Sequence, residues 1–188
     1  SDEVQFVGTG STSFTTNDYI SLGNDSSLQV GTGDFSICAW VYKGAGDDKT
    51  ILSYGDVNSK PFWHLSERSG DNTFTVKIDD GGGTTEAFSA SGSFTHNTWH
   101  HICFTLDRDS TDGGILYQNG VYDSSFGTVD FTSQNLTLNH GSIGLYIGAL
   151  YNSSLGAYWE GNIKNVALWT RVLTPTEIQN VMYKTYDE

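Results

Sequence analysis

The sequence predicts an all-β protein, built as a two-sheet antiparallel jelly-roll sandwich with one short C-terminal α-helix. Runs of β-branched and aromatic residues recur about every eight to twelve residues, separated by clusters of Gly, Ser, Asn and Asp. Helix signals are confined to the last part of the chain. No linker or repeat interrupts the 188 residues, a length that can bury a sizeable core. We therefore expect one domain over residues 1–188.

Two of the long predicted strands, at residues 35–42 and 99–106, have one apolar face. Asn119-Gly120 between two β-like runs is a strong hairpin signal. Trp40, Trp99 and Trp169 lie within strands, and we interpret them as core residues because large aromatics dominate β cores. The predicted strands are residues 4–7, 19–22, 35–42, 50–54, 61–66, 73–78, 86–89, 99–106, 115–118, 136–138, 142–148 and 158–169.

The C-terminal helix is predicted from its capping residues. Thr174 is a good N-cap, Pro175 occupies the first helical position, and Glu177 completes a capping box. The apolar residues that follow have helical spacing. A helix with one apolar side must bury that side, so we expect it to pack against a sheet. Its apolar residues are Ile178, Val181 and Met182.

The charge balance excludes one class of partner. The chain has 9 basic and 22 acidic residues, a net charge of −13. A protein this acidic repels phosphate backbones, so we expect no nucleic-acid partner. Divalent cations or a salty medium suit such a surface equally well. No run of about eighteen apolar residues is present, so we expect no membrane insertion.

Cys38 and Cys103 are the two cysteines, and neither lies in a CxxC motif, which argues against zinc. Each cysteine points away from the aliphatic face of its predicted strand. If the two strands are adjacent, both sulfurs share one face and can form a disulfide. The alternative is two buried free thiols. We favour the disulfide, which would add about 4 kcal/mol in the chain-entropy model and indicate an oxidising compartment.

Five stretches in this order resemble the laminin G-like and pentraxin branch of the concanavalin A-like lectin/glucanase superfamily. They are residues 18–20, 33–41, 98–102, 117–120 and 159–178. The resemblance covers nearly the whole chain. It implies two antiparallel sheets, one of them concave, with the helix on one face. Cys38 and Cys103 sit where pentraxins carry their intradomain disulfide.

The resemblance also implies a place to look for calcium. Pentraxins bind ligands through calcium held by acidic loops, and Asp56 matches the Asp of an Asp-Asn pair in the first loop. Val57 follows it, and the acidic cluster expected after Gly148 is missing, with Asn152 the only residue there that keeps a side-chain carbonyl oxygen. Because a calcium ion takes six to eight oxygens, we expect the two-calcium site to be absent.

The alternative is a site for a single calcium ion, as in laminin G-like domains. Its ligands would be Asp56 with Asn58 or Asn152, helped by Asp79 of the Asp79-Asp80 loop. The alternative is that these residues are ordinary turn formers.

The predicted ligand surface combines aromatic rings with amides. Sugars bind flat rings through their apolar faces and polar groups through their hydroxyls. Tyr151 and Asn152 lie on a Gly- and Ser-rich loop that we expect to be exposed, and they are the leading candidates. Trp63, Tyr54 and Asn58 lie near loops or strand ends and complete the set.

The function predicted from these observations is non-catalytic carbohydrate binding, with or without calcium, in a secreted or surface protein. The partner would be a glycan or surface polysaccharide. The alternative is a structural or protein-binding jelly-roll domain of a virion or cell-surface adhesin. A polysaccharide hydrolase or lyase is less favoured, because no Glu-x-Asp-x-Glu or Gly-x-Ser-x-Gly motif occurs.

Overall fold

A computed structural model describes residues 3–6, 11–44, 49–68, 70–89 and 91–184. Two antiparallel sheets carry most of the described chain. The larger, eight-stranded sheet has the order β1-β16-β4-β9-β10-β11, with β2 also paired to β16 and β12 to β10. Its strands are β1 (Glu3–Phe6), β2 (Thr12–Phe14), β4 (Phe35–Lys43), β9 (Trp99–Leu106), β10 (Gly114–Gln118), β11 (Val121–Tyr122), β12 (Thr128–Val129) and β16 (Gly161–Trp169).

The smaller sheet has six strands in the order β3-β13-β5-β6-β7-β8, and a separate two-stranded hairpin joins β14 to β15. All five neighbouring pairs of the six-stranded sheet are antiparallel. The strands are β3 (Ile20–Ser21), β5 (Lys49–Gly55), β6 (Phe62–Arg68), β7 (Thr73–Asp79), β8 (Thr84–Phe88), β13 (Leu145–Ile147), β14 (Leu150–Tyr151) and β15 (Leu155–Gly156).

The core lies between the two sheets. Alternate residues of each strand face inward because successive side chains of a strand point to opposite faces. Phe35 of β4 packs against Trp63 of β6 with ring centroids 5.5 Å apart, and Phe104 of β9 lies edge-on to Phe35 at 6.2 Å. These contacts join the two sheets, which confirms the two-layer sandwich predicted from the sequence.

The disulfide prediction is confirmed. Cys38 and Cys103 lie directly opposite each other on β4 and β9 and are bonded. Both are fully buried on the outer face of the larger sheet, where Trp169 and Ile178 pack around them. The bridge therefore joins two central strands and belongs to a second apolar cluster outside the main core.

Helix α1 (Pro175–Tyr183) covers this second cluster. Thr174 accepts a hydrogen bond from the backbone N–H of Glu177, and the Glu177 side chain bonds back to the backbone N–H of Thr174, so the predicted capping box is present. Ile178 is fully buried and Met182 is 9% exposed. In the ranges that the structure describes, no helix combines the length and apolar character needed to cross a bilayer.

The predicted strand boundaries differ from the structure in several places. Residues 136–138 form no strand, because the backbone N–H of Leu136 donates to the Asp80 carboxylate and that of Leu138 to the carbonyl of Gly31. These bonds run to loops rather than to a neighbouring strand. The predicted strand at 142–148 is reduced to β13, since the N–H groups of Ser142 and Ile143 donate to His140. Val7 of the predicted first strand lies outside the described residues.

Two of the three tryptophans assigned to the core lie elsewhere. Trp40 and Trp99 are half-buried on the outer face of the larger sheet, with the Lys164 ammonium 4.6 Å from the Trp99 ring centre. Trp40 donates from its indole N–H to the carbonyl of Met182. Trp169 is buried, as predicted, in the cluster around the disulfide. An outer sheet face that is partly covered by a helix accepts large rings as readily as the inner face.

Candidate functional site

The outer face of the smaller sheet carries polar side chains, as strand alternation requires. On β6, Trp63 and Leu65 belong to the core, so His64 and Ser66 point outward. On β7, Val76 belongs to the core and Thr75 points outward. The pairing of β6 with β7 places these outward residues side by side.

A groove of about 370 Å³ lies on this face. Its volume falls at the lower end of the range usual for small-ligand sites. The central strands β6 and β7 supply its floor, β8 one wall, and the β14–β15 hairpin with the residue after it the opposite wall. The floor consists of His64, Ser66 and Thr75, the walls of Glu86 and Phe88 on one side and Leu150 and Ala157 on the other, and Lys49, Thr50, Glu67 and Arg68 complete the lining.

The floor of the groove contains an unused hydroxyl group. Thr75 is 4% exposed, and within the described chain its Oγ1 has no hydrogen-bond partner. Nearly all buried polar groups in proteins are paired, so this hydroxyl of a groove-lining residue still needs a partner that the described chain does not supply. His64 lies beside it, with Nδ1 3.2 Å from the Ser66 hydroxyl.

The imidazole of His64 is neutral at physiological pH. Burial lowers the pKa of His64 to about 3, and the positive charge of Lys77 lowers it further in the same direction. A neutral imidazole offers one N–H donor and one acceptor nitrogen. The floor therefore presents hydrogen-bonding groups without net charge, which suits uncharged polar groups of a ligand.

The hairpin wall is attached to the sheet by backbone hydrogen bonds. Thr50 donates from its N–H to the carbonyl of Ala157 at 2.9 Å, and Val57 donates to the carbonyl of Tyr151 at 3.2 Å. The Ser53 hydroxyl donates to the carbonyl of Ala149 at 2.7 Å. These bonds hold the hairpin across the face of β5, where it separates the groove from a second, aromatic surface.

That second surface, the tyrosine cluster, consists of Tyr19, Tyr146, Tyr151 and Tyr158. Tyr146 and Tyr151 stack with centroids 6.1 Å apart and planes inclined by 16°. Tyr19 contacts Tyr146 at 6.0 Å and Tyr158 at 6.3 Å. Tyr19 is 43% exposed and the other three rings are half-buried, so the cluster presents aromatic surface to solvent.

The leading sequence candidates lie at this cluster, with one correction. Tyr151 does not lie on a freely exposed loop: it belongs to β14 and is half-buried by its stacking on Tyr146. Asn152 follows it and is exposed. The two-residue strand was missed because such short pairings depend on tertiary contacts rather than on local sequence.

Tyr54 and Trp63 lie in the core rather than near the surface. Each is 1% exposed, and their rings stack on one another at 6.1 Å. Burial raises the pKa of the Tyr54 hydroxyl. Neither ring has a face open to a sugar, so the candidate site does not include them. Trp63 shares its strand parity with Leu65, a signal that would have placed it inside.

The structure brings Asp56, Asn58 and the loop of the β14–β15 hairpin together. Asp56 Oδ1 accepts from the backbone N–H groups of Asn58 (2.9 Å) and Ser153 (3.1 Å), and Oδ2 accepts from the Ser59 hydroxyl (3.0 Å). Burial acts to raise the pKa of Asp56, but these hydrogen bonds lower it below its ordinary value. Asn58 donates from Nδ2 to the Ser153 hydroxyl at 3.0 Å. The network ties two loops together.

The carboxylates considered for calcium are already bound by protein donors. Both Asp56 oxygens already accept hydrogen bonds, and Asp79 Oδ2 lies 2.7 Å from the ammonium of Lys60 and 2.6 Å from the Thr84 hydroxyl. Calcium needs six to eight oxygens with free lone pairs. Among the residues that the structure describes, no three His, Cys, Asp or Glu side chains converge.

The comparison with protein families identifies the fold group. The model of a laminin G-type family, described as concanavalin A-like lectin/glucanases superfamily, matches residues 14–179. The chain belongs to the concanavalin A-like lectin/glucanase superfamily. No curated protein sequence matches it.

Solved structures of this superfamily share the fold at low sequence identity. A carbohydrate-binding module, CBM40 of the Ruminococcus gnavus IT-sialidase bound to α2,3-sialyllactose, is 13% identical with a TM-score of 0.63, covering 93% of this chain and 98% of that chain. A heptameric pentraxin from Limulus polyphemus is 14% identical with a TM-score of 0.59, covering 82% and 72%. The binding domain of botulinum neurotoxin DC with rat synaptotagmin II is 13% identical with a TM-score of 0.57, covering 80% of this chain and 35% of that chain.

Two carboxylates line the groove, and one of them is buried in an ion pair. Glycoside hydrolysis uses two carboxyl groups about 5 to 9 Å apart on either side of the scissile bond. Glu67 and Glu86 both line the groove, but Glu67 is 0% exposed and its Oε2 lies 2.7 Å from the Lys43 ammonium. Among the described lining residues, Glu86 alone keeps a carboxylate that is not buried.

Sequence reasoning missed the groove itself. His64, Ser66, Thr75 and Phe88 come from three strands, and no local motif connects them. The available signal was strand alternation, because Trp63 and Leu65 mark the inner face of β6 and so place His64 and Ser66 outside. What could not be inferred was which three strands are neighbours.

Proposed function

We propose that this protein is a non-catalytic carbohydrate-binding module whose ligand lies on the outer face of the smaller sheet. The groove carries the proposal, because its floor holds the buried and unpaired Thr75 hydroxyl beside the neutral His64 imidazole. These groups suit sugar hydroxyls, which donate and accept hydrogen bonds without charge. Phe88, which is 40% exposed, supplies an apolar ring at the wall.

The tyrosine cluster extends the proposed site beyond the hairpin. Aromatic side chains bury large apolar areas while their hydroxyl groups stay wet, which suits the mixed surface of a pyranose. Tyr19 is the exposed member, and contacts with Tyr146 fix the ring positions of both Tyr19 and Tyr151. A ligand longer than one sugar would contact both the groove and the cluster.

Three further observations support this function and its location. The similar structures include a carbohydrate-binding module bound to a sialylated sugar. The groove lacks an exposed carboxylate pair, which supports binding without catalysis. The Cys38–Cys103 disulfide supports a secreted or cell-surface location, because such bonds persist in oxidising compartments.

The test compares two valine variants on a broad glycan array. Thr75→Val removes a hydroxyl that has no protein partner, so it should leave stability unchanged or raise it. Thr73→Val is the matched control, since Thr73 is 4% exposed and its hydroxyl is also unpaired, but it does not line the groove. We expect Thr75→Val alone to weaken glycan binding, by about five- to tenfold for one lost hydrogen bond.

Repeating the array with EDTA tests the role of calcium. We expect the same binding with calcium and with EDTA, because the Asp56 and Asp79 carboxylates already have protein donors. Equal loss of binding in both valine variants would contradict the groove assignment, and no binding to any glycan would contradict the function.

A second candidate function is protein binding on a cell or virion surface. It is favoured by the similarity to a neurotoxin binding domain in complex with synaptotagmin II. In that case glycans would not bind, and a protein ligand would compete for the same tyrosine cluster.

A further inference from the structure

We propose, on the basis of the function above, that the groove selects a glycan carrying a carboxylated sugar and that Arg68 binds its carboxylate. Arg68 lies at the end of β6 and lines the groove together with Phe88. Its guanidinium lies 5.5 Å from the centre of the Phe88 ring. A sugar ring packed on Phe88 would therefore bring an equatorial carboxylate within reach of the guanidinium.

The distribution of charge supports this choice of ligand. The chain has only 9 basic residues against 22 acidic ones, yet Lys49 and Arg68 both line the groove. Lys77 adjoins it, since it pairs with His64 on β6 and with Glu86 on β8. Each of these cations has an acidic neighbour, Glu160 for Lys49, Asp71 for Arg68 and Glu86 for Lys77, so charges nearly balance at the groove although the whole chain carries −13. At physiological salt the Debye length is about 8 Å, so the more distant acidic residues are largely screened there.

Arg68 is the cation of this group that is best able to turn toward a ligand. Lys49 is held 2.9 Å from Glu160, with 15% of its side chain exposed. Arg68 lies 3.5 Å from Asp71, and both side chains are about half exposed, at 51% and 50%. An exposed pair of this kind contributes at most about 1 kcal/mol, so a ligand carboxylate can replace Asp71.

The chemistry of the guanidinium suits a carboxylate in particular. Its planar fork matches both oxygens of a carboxylate, whereas a lysine ammonium acts as a point charge. The floor adds no charge, because His64 stays neutral. Charge recognition at Arg68 and hydroxyl recognition at Thr75 are therefore separate, and variants can separate them.

The experiment measures binding of oligosaccharides of galacturonic, glucuronic, mannuronic and sialic acid, each beside its carboxyl-reduced form and beside sulfated glycans. We expect a carboxylated member to bind at least about tenfold more tightly than its reduced form, the usual effect of a hydrogen bond to a charged group. Arg68→Gln should lower affinity for the acid about tenfold more than it lowers affinity for the reduced form. Arg68→Lys should fall between.

Lys184→Gln is the matched control, because it makes the same change in net charge beyond helix α1, on the larger sheet. It should not alter binding of either form. Equal affinity for acid and reduced forms, preference for sulfated glycans alone, or an unaffected Arg68→Gln would overturn the inference. If neutral glycans bind and Thr75→Val weakens them, the proposed function stands while this inference falls; if no glycan binds, both fall.

Discussion

The ion pair between Lys43 and Glu67 offers a sharp test of how the two sheets are joined. Lys43 ends β4 of the larger sheet, and Glu67 lies in β6 of the smaller one. The ammonium and carboxylate are 2.7 Å apart, and the two side chains are 1% and 0% exposed. Lys43→Met keeps the apolar stem but leaves the Glu67 carboxylate buried beside His96, whose Nε2 is 3.7 Å from Oε1.

Removing one partner of a buried pair costs about 3–5 kcal/mol, because the other charge loses its compensation. In a protein of this size that corresponds to a fall in melting temperature of about 6–20 °C. Replacing both residues by apolar ones of similar volume, in Lys43→Met with Glu67→Leu, should recover most of that loss. The assay is urea unfolding of the wild type, both single variants and the double variant, analysed as a double-mutant cycle.

Two results would refute this reasoning about the pair. A cost below about 1 kcal/mol for Lys43→Met would mean that water reaches the Glu67 carboxylate, which then needs no partner. A double variant that loses the sum of the two single costs would mean that the side chains contribute packing rather than a coupled charge pair.

Two further predictions concern the disulfide and the buried histidines. The double variant Cys38→Ala/Cys103→Ala should lower the free energy of unfolding by about 4 kcal/mol, because the disulfide closes a loop of 65 residues and so restricts the unfolded chain. A denaturant curve that shows no loss of stability would contradict this prediction. Burial lowers the pKa of His64 to about 3 and that of His101 to about 4, so the folded protein resists their protonation while the unfolded chain accepts protons below about pH 6.5. The stability associated with these neutral histidines is therefore complete above pH 6.5 and is lost as the pH falls toward 3. His64→Gln should reduce the slope of the free energy of unfolding against pH, between pH 6 and pH 4, by about 1.4 kcal/mol per pH unit. An unchanged slope would show that His64 has the same pKa in the folded and unfolded states.

Local sequence was sufficient for the long elements. The alternation in β4 and β9 and the capping box of α1 rest on contacts between residues close in sequence, so their signals can be interpreted without a fold. The two-residue strands β14 and β15 have no such signal. They form because the hairpin is held on β5 by bonds from Thr50 and Val57.

The candidate site was only partly predictable. Tyr151 and Asn152 were found from composition, and the loop containing Asp56 was found from the family resemblance. Trp63 and Tyr54 were misplaced because proximity to a loop in sequence does not determine which way a strand residue points. The groove needed β6, β7 and β8 to be neighbours in register, which no single strand encodes.

By itself the sequence determined the all-β class, the position of the capped helix and which faces of the long strands are apolar, because these follow from periodicities of two and of three to four residues. Tertiary structure decided which strands are adjacent, where the hairpin lies, and that Thr75, His64, Arg68 and Phe88 share one groove. The physical reason is that hydrogen bonds between strands join residues far apart in sequence, and burial then selects among the possible registers.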